Sequence, residues 1–433
     1  MIEQIYKLYS QKYIVTTDSR KVEQGCVFVA LKGEHFDGND FAYKVAEDNF
    51  AACVIADRKD LPYHERLFIV DDCITTLQEL AKLHRKKNNI PVIGITGTNG
   101  KTTTKELIST VLSQKYNIIY TQGNFNNHLG VPLTLLQIKP NTEIAVVEMG
   151  ANHPKEIEQL CEIAQPDFGI ITNIGKAHLE GFGNFKGVVK TKNELYQYIK
   201  LKSKKQEAKI FVNSDNDLLV ELSKEIPSLY YGSKIKTTNL SLLVQGSKLK
   251  NQSPYLNIEW NNNEIKTNLV GDYNFENVMA AIAIGNYFNV ESNLIIKALE
   301  NYRPTNNRSQ FIETDKNKIV MDAYNANPVS MSNAINNFKN ICDNNHLLIL
   351  GDMRELGKES LSEHLEILNL IKKLNFNNVI LVGSEFSKVN KDFTSFSNVD
   401  ELIKHINENE ISGMKILIKG SNSIHLEKII NLL

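Results

Sequence analysis

The sequence predicts an α/β protein of three domains. Three observations carry this reading: a length of 433 residues, at roughly 100 to 200 residues per domain; short apolar runs alternating with amphipathic segments; and polar breaks near residues 86 and 303. Buried runs separated by helical patterns indicate mostly parallel sheets with helices on both faces.

The first domain is placed at residues 1–86. CVFVAL, AACVIA and LFIV alternate there with polar turns, the rhythm of a small α/β unit, and the basic stretch HRKKNN at 84–89 follows. The second domain, 87–302, opens on Pro91 and the run VIGIT. EIAVVEMG (143–150), FGIITNIG (168–175) and KIFVN (209–213) continue it as strands, and a Thr-, Ser- and Asn-rich stretch near 230–270 predicts appended β-hairpins. The third domain, 303–433, starts at Arg303-Pro304. Its four apolar strands, in KIVMDAY, HLLILGDM, NVILVGS and KILIKGS, alternate with helical segments in a Rossmann-like pattern.

Composition excludes several function classes. With 42% hydrophobic and 23% charged residues the chain is neither disordered nor fibrous. A net charge of -1 provides no broad field for nucleic acid or an anionic membrane, so a polyanionic ligand needs a local site. Cys26, Cys53, Cys73, Cys161 and Cys342 are scattered and never spaced as CxxC, which supports neither a disulfide framework nor a zinc site. The N-terminus MIEQIYKLYSQKY has no basic stretch before an apolar core, and no apolar run reaches about 18 residues. A cytoplasmic protein, not embedded in a membrane, is expected.

Residues 94–107 read GITGTNGKTTTKEL, with a strand before the glycines and an amphipathic helix after them. Gly97 and Gly100 permit positive φ, so that backbone N–H groups around Thr98, Asn99 and Thr103 turn toward phosphate oxygens, and the helix N-terminus adds partial positive charge. Lys101 would reach the outer phosphates and Thr102 would place its hydroxyl on Mg²⁺. The spacing is GxxGK[ST] rather than GxxxxGK[ST], because Ile95 stands where the longer form has glycine; an ordinary turn is the alternative for so short a match. Glu148, after the run IAVV, and His178, shortly after FGIITNI, fall at strand carboxyl ends, where a metal-nucleotide site needs ligands. Read singly, Glu148 is equally a surface carboxylate and His178 equally a helix cap.

These residues resemble the Mur ligase family, whose phosphate loop takes the form GTNGKTT. VVEMGANHPKEI (146–157), ITNIGKAHLEGFG (171–183) and KTKNEL (190–195) are similar to the family's metal-site motifs in order and spacing, and the likeness extends over essentially the whole chain. The resemblance implies a carbamylated lysine at Lys192, which residue chemistry alone would class with Lys190 as a solvated helix lysine. It implies that Lys101, Glu148, His178 and Lys192 are catalytic, and that Thr102, Glu148, His178 and Lys192 hold two Mg²⁺ ions. ATP would be bound by residues 97–103 together with Asn277, Arg308 and Asp322.

The resemblance further implies that the first domain binds a uridine nucleotide through Ser19, Arg20, Asp37 and Gly38, with turn chemistry as the alternative. Asn126 and Asn127 would face the sugar-peptide; Asn325, Asn327, Lys419 and Ser421 would face nucleotide or dipeptide. MDAYNANPVSM (321–331), LILGDMRELGKESLSEH (348–364) and TQGNFNNHLGVP (121–132) are similar to the branch of the family that joins D-alanyl-D-alanine to UDP-N-acetylmuramoyl-tripeptide. A tripeptide-forming or glutamate-adding ligase is the alternative, and a scaffold protein that has lost the chemistry is a third reading. Asn39 and Tyr273 depart from the family, standing where many relatives carry His. A monomer is expected, with small-molecule substrates and no nucleic acid.

Overall fold

Parallel pairing of short, mainly apolar strands organises each part of the chain. The structure, a computed structural model, describes residues 1–233, 242–249, 254–305, 308–342 and 344–433. Strands β1 (Val15–Thr16), β2 (Val27–Val29), β3 (Cys53–Ala56) and β4 (Leu67–Ile69) form a four-stranded parallel sheet in sequential order. Helix Cys73–Lys87, capped by Asp72 accepting from Thr75 N, leads out of it.

The central sheet contains β5 (Val92–Thr96), β6 (Ile118–Tyr120), β7 (Ile144–Glu148), β8 (Phe168–Ile171), β9 (Lys209–Asn213), β10 (Ser228–Gly232), β11 (Leu242–Leu249), β12 (Tyr255–Trp260) and β13 (Asn263–Val270). Their order is β13-β12-β11-β10-β9-β8-β5-β7-β6, parallel from β6 to β11 and antiparallel across the last two pairs. The antiparallel strands occupy the stretch expected to carry hairpins; residues 234–241 and 250–253 of that stretch lie outside the described residues.

Burial on both faces explains why the central strands run apolar up to their polar ends rather than alternating. In β7, Ala145 and Val147 join one core with Ile5, Tyr9, Leu77 and Leu80 from the N-terminal helices. Ile144 and Val146 join the opposite core, packed on helices Lys101–Leu112 and Phe275–Tyr287. The first part of the chain is therefore fastened to the central sheet by a shared apolar core.

The third sheet contains β14 (Gln310–Glu313), β15 (Lys318–Asp322), β16 (His346–Gly351), β17 (Val379–Val382), β18 (Thr394–Phe396) and β19 (Lys415–Lys419). The order is β14-β15-β19-β16-β17-β18, with only β14 antiparallel. Here too successive residues serve opposite cores: Ile416 and Ile418 on one face, Leu417 on the other.

One buried ionic group ties helix Cys73–Lys87 to the central sheet. Asp167 accepts from Arg85 Nη2 at 2.8 Å, Val92 N at 2.9 Å and Lys202 Nζ at 2.7 Å, joining the starts of β5 and β8 to two helices. Asp167→Ala would leave buried Arg85, and partly buried Lys202, without their anion; the expected loss is about 3 kcal/mol, read as a lower urea midpoint. Lys59→Ala, which removes an exposed pair with Asp71, should leave the midpoint in place.

Candidate active site at the phosphate loop

β5 delivers the chain into a tight loop before helix Lys101–Leu112. Gly97 has φ +145° and Gly100 φ +76°. A side chain on Gly97 would collide with the Thr172 hydroxyl, and a Cβ on Gly100 would lie 2.6 Å from Asn277 Oδ1, so both positions require glycine. The loop's own polar groups are satisfied from the neighbouring β8 loop. Thr98 N donates to Asn173 O at 2.9 Å, Asn99 N to Asn173 Oδ1 at 2.9 Å, and the Thr172 hydroxyl donates to Asn99 O at 2.6 Å. No side chain caps the following helix, so its first-turn amides are available to an anion. Lys101 folds back, donating to Gly97 O at 2.8 Å and Thr98 O at 3.2 Å. Burial pushes its ammonium pKa down, with Glu148 opposing.

Parallel register places Ile95 opposite Glu148, which puts the carboxylate ending β7 beside the loop that β5 enters. Glu148 is 1% exposed, so the surface-carboxylate alternative is removed. Oε1 accepts from Asn126 Nδ2 at 2.9 Å and from the Thr102 hydroxyl at 3.3 Å; Oε2 is buried without a hydrogen-bond partner. Lys105 Nζ lies 3.9 Å from Oε2.

His178 occupies the N-cap position of helix Leu179–Phe182 in the left-handed region, φ +51°, yet its side chain caps nothing. Nδ1 instead lies 2.5 Å from Glu355 Oε2, without hydrogen-bond alignment. Lys192, on helix Phe185–Ser203, is 2% exposed, in contrast to solvent-exposed Lys190. Its Nζ has Ala151 O at 3.4 Å and the Phe182 ring centroid at 5.4 Å. Burial, and then the charge of Lys101, push its pKa down to about 7. Among the described residues no three His, Cys, Asp or Glu side chains stand close enough together to hold a metal ion.

The third sheet faces this loop across a cavity of about 820 Å³, lined from the central part by Lys101, Thr102, Glu148 and His178 and from the third by Arg308, Asp322, Asn325 and Lys419. β15 pairs with β19 so that Asp322 lies opposite Lys419, and Lys419 Nζ donates to Asp322 Oδ2 at 2.8 Å and Asn325 O at 3.2 Å. The Arg308 guanidinium stacks 3.8 Å from the Tyr324 ring centroid. Tyr273 also lines the cavity and shares a 2.9 Å hydrogen bond with Ser309. Besides that bond, further contacts span the gap: Asn327 Nδ2 donates to Asn99 Oδ1 at 2.7 Å, Lys176 pairs with Glu363 at 2.8 Å, and Glu355 meets His178.

Several expected ligand-facing groups are engaged within the protein. Asn327 and Ser421 do not line the cavity. Asn327 forms a capping box with Ser330 at the start of helix Pro328–Ile341, and the Ser421 hydroxyl accepts from Arg354 N at 3.1 Å. Asn127 lines the cavity but spends Oδ1 on Leu129 N and Gly130 N. Asn277 accepts from the Thr104 hydroxyl and donates to Asn274 Oδ1, which leaves one amide hydrogen and one carbonyl lone pair for adenine.

Ser19, Arg20, Asp37 and Gly38 are not brought to this cavity either. Arg20 pairs with Asp18 at 2.8 Å on the surface. Asp37 accepts from Asn39 N and Nδ2, and Asn39, 2% exposed, also donates to Asp57 at 2.9 Å; Asn39 is a buried brace. A second cavity of about 660 Å³, lined by Thr16, Thr17, Asp18 and Lys21 with Phe125, Gln137 and Lys139, lies beside this region.

Sequence reasoning missed Lys105, Tyr324, Glu355 and the anchoring side chain of Asn173. Lys105 had a local signal, four residues after Lys101 and so on the same helix face. Glu355 and Tyr324 become visible only once two sheets face each other.

Comparison with known proteins agrees along the whole chain. The Mur ligase family catalytic domain matches residues 12–96, the Mur ligase middle domain 95–285, and the Mur ligase glutamate ligase domain 307–422. The UDP-N-acetylmuramoyl-tripeptide--D-alanyl-D-alanine ligase of Bacillus subtilis is 35% identical, covering 98% of this chain and 93% of the relative. Its Escherichia coli counterpart is 32% identical, over 97% and 93%. Among solved structures, MurF from Acinetobacter baumannii superposes with a TM-score of 0.84 at 29% identity, covering 99% and 97% of the two chains. MurF ligase from Thermotoga maritima in complex with ADP gives 0.82 at 28% identity, over 97% and 96%. The chain belongs to the Mur ligase family.

Proposed function

We propose that this chain is an ATP-dependent, ADP-forming ligase that joins D-alanyl-D-alanine to UDP-N-acetylmuramoyl-tripeptide in peptidoglycan precursor synthesis. The observation that carries this is the buried Glu148 beside an uncapped phosphate-loop helix, facing Arg308, Asp322 and Lys419 across one cavity. Relatives bearing that activity in their names match nearly the full length.

Amide formation from a carboxylate is uphill in water, and phosphorylation of the tripeptide carboxylate by ATP makes it reactive toward the dipeptide amine. The chain's work is positioning and charge placement. The loop of residues 97–103 would cradle the phosphates through the uncapped helix-start amides of Lys101, Thr102 and Thr103, the Thr98 and Asn99 amides being held by Asn173, and Lys101 would leave Gly97 O for the β- and γ-phosphates. Arg308 and Asp322 would close on the nucleotide from the third domain, with Asn277 at the adenine. Asn126, already bonded to Glu148, would link the acceptor peptide's position to that carboxylate. The residues fit magnesium: an unpaired carboxylate oxygen, a hydroxyl and an imidazole suit an ion that takes few protein ligands and completes its shell with phosphate and water. When bound, two Mg²⁺ ions would supply neutralisation of the charge that builds on the phosphates and carboxylate. Thr102, Glu148, His178 and Lys192 would hold them. A lysine whose pKa is pushed down to about 7 carries a substantial fraction of free amine at neutral pH, the form that captures CO₂, which supports carbamylation of Lys192. Ser19, Arg20, Asp37 and Gly38 would hold the uridine end, while Asn325 and Lys419 would face the dipeptide. No helix is long and apolar enough to cross a membrane among the described residues, which is compatible with action in the cytoplasm.

Phosphate release from ATP and UDP-N-acetylmuramoyl-tripeptide should rise on addition of D-alanyl-D-alanine and stay at background with diaminopimelate, lysine or glutamate; stimulation by one of the latter instead would reassign the amine. Lys101→Ala should lower kcat by about 10²-fold or more in that assay without shifting the melting temperature appreciably. Gly97→Ala, strained at φ +145° and in collision with Thr172, should weaken ADP binding by about tenfold or more, equivalent to ~1.4 kcal/mol, measured by titration calorimetry.

A further inference from the structure

Lys105 is a buried cation in a place where the phosphate chemistry does not require one. It lies one turn beyond Lys101 on helix Lys101–Leu112 and is 1% exposed. Burial pushes its ammonium pKa down, opposed by Glu148 and then Glu106. Such a charge is retained only with compensating partners, because its desolvation costs several kcal/mol. Its Nζ lies 3.9 Å from Glu148 Oε2 and 3.9 Å from Glu106 Oε1, with the Tyr120 ring centroid at 5.7 Å.

The geometry at Glu148 gives this placement a consequence. Oε1 is engaged by Asn126 and Thr102, whereas Oε2 has no hydrogen-bond partner and Lys105 as its neighbouring cation. Without that cation nothing among the described contacts holds Oε2, and the carboxylate is free to pivot about the oxygen that Asn126 and Thr102 engage. Lys105 is itself held from the far side: Glu106 accepts from the Tyr302 hydroxyl at 2.5 Å. Tyr302 follows helix Ser292–Asn301, immediately before the passage into the third sheet.

We infer that Lys105 is a positioning residue, whose ammonium fixes the orientation of Glu148 from behind, so that this carboxylate is presented ready-made to a divalent cation. The inference rests on the proposed role of Glu148 as a metal ligand. Lys105 touches neither nucleotide nor peptide in this scheme; it acts through the carboxylate, as groups behind metal ligands do.

Mn²⁺ binding to the full chain in the presence of ADP, followed by electron paramagnetic resonance, separates the two ideas. Glu148→Gln tests the ligand role: unchanged Mn²⁺ affinity in that variant refutes the reading on which the inference stands. Lys105→Met keeps stem volume and removes the charge. It removes one partner of a buried pair and so should lower the melting temperature; in the folded protein it should lose about tenfold or more in Mn²⁺ affinity, with kcat falling further than the KM for ATP rises, and Lys105→Arg should recover most of the affinity. If Glu148→Gln loses Mn²⁺ while Lys105→Met binds it equally well or more tightly, the positioning role is overturned and Lys105 is a packing residue. Should Lys105→Met fail to fold, Lys105→Gln carries the same readout; if neither charge-free variant folds while Lys105→Arg does, the charge serves the fold and the inference falls.

Discussion

The constraint on which the rest depends is that the loop between Thr96 and Lys101 must be held from within, its Thr98 and Asn99 amides spent on Asn173 rather than turned to phosphate as the sequence suggested, while the first-turn amides of helix Lys101–Leu112 stay free. Positive φ at Gly97 and Gly100 turns the chain, and the β8 loop, through Thr172 and Asn173, takes up the inner hydrogen bonds. An uncapped helix N-terminus is a cost unless an anion meets it. The neighbours of β5 then decide what surrounds that anion: β7 on one side ends in Glu148, β8 on the other runs toward His178.

A parallel sheet thus does more than bury apolar residues. By aligning strand carboxyl ends it gathers side chains distant in sequence at one edge, and two such edges face one another here. Asp322 and Lys419 meet by the same register logic in the third sheet that brings Glu148 to the phosphate loop. The bridges Asn99–Asn327, Lys176–Glu363 and His178–Glu355 show the two edges already in contact.

Much of this was legible in the sequence because the physics is local. The central strands run apolar without alternation up to their polar ends because both faces are covered, and the phosphate loop carries its glycines where positive φ is needed. Glu148 and His178 could be placed at strand ends, but not their burial, which depends on helices that pack from elsewhere. Lys192 shows the limit most clearly: it reads as a solvated lysine, and only the closure of helix Phe185–Ser203 over Ala151 and Phe182 buries its amine. Asn327 shows the converse. A residue type suited to ligand binding is equally suited to capping a helix, and in this chain Asn327 does the latter while its amide reaches Asn99. Asn39 is similar, a polar side chain in a ligand-like motif that braces Asp37 against Asp57.

The most direct test of the shared site is a crystal structure of the chain with a non-hydrolysable ATP analogue and Mg²⁺. The account predicts phosphates on the free amides at the start of helix Lys101–Leu112, Lys101 Nζ transferred from Gly97 O to a phosphate oxygen, and Arg308 of the third sheet in hydrogen-bond contact with the same nucleotide. A nucleotide seated elsewhere, or seated on the loop with Lys101 still bound to Gly97 O and Arg308 turned away, would contradict it.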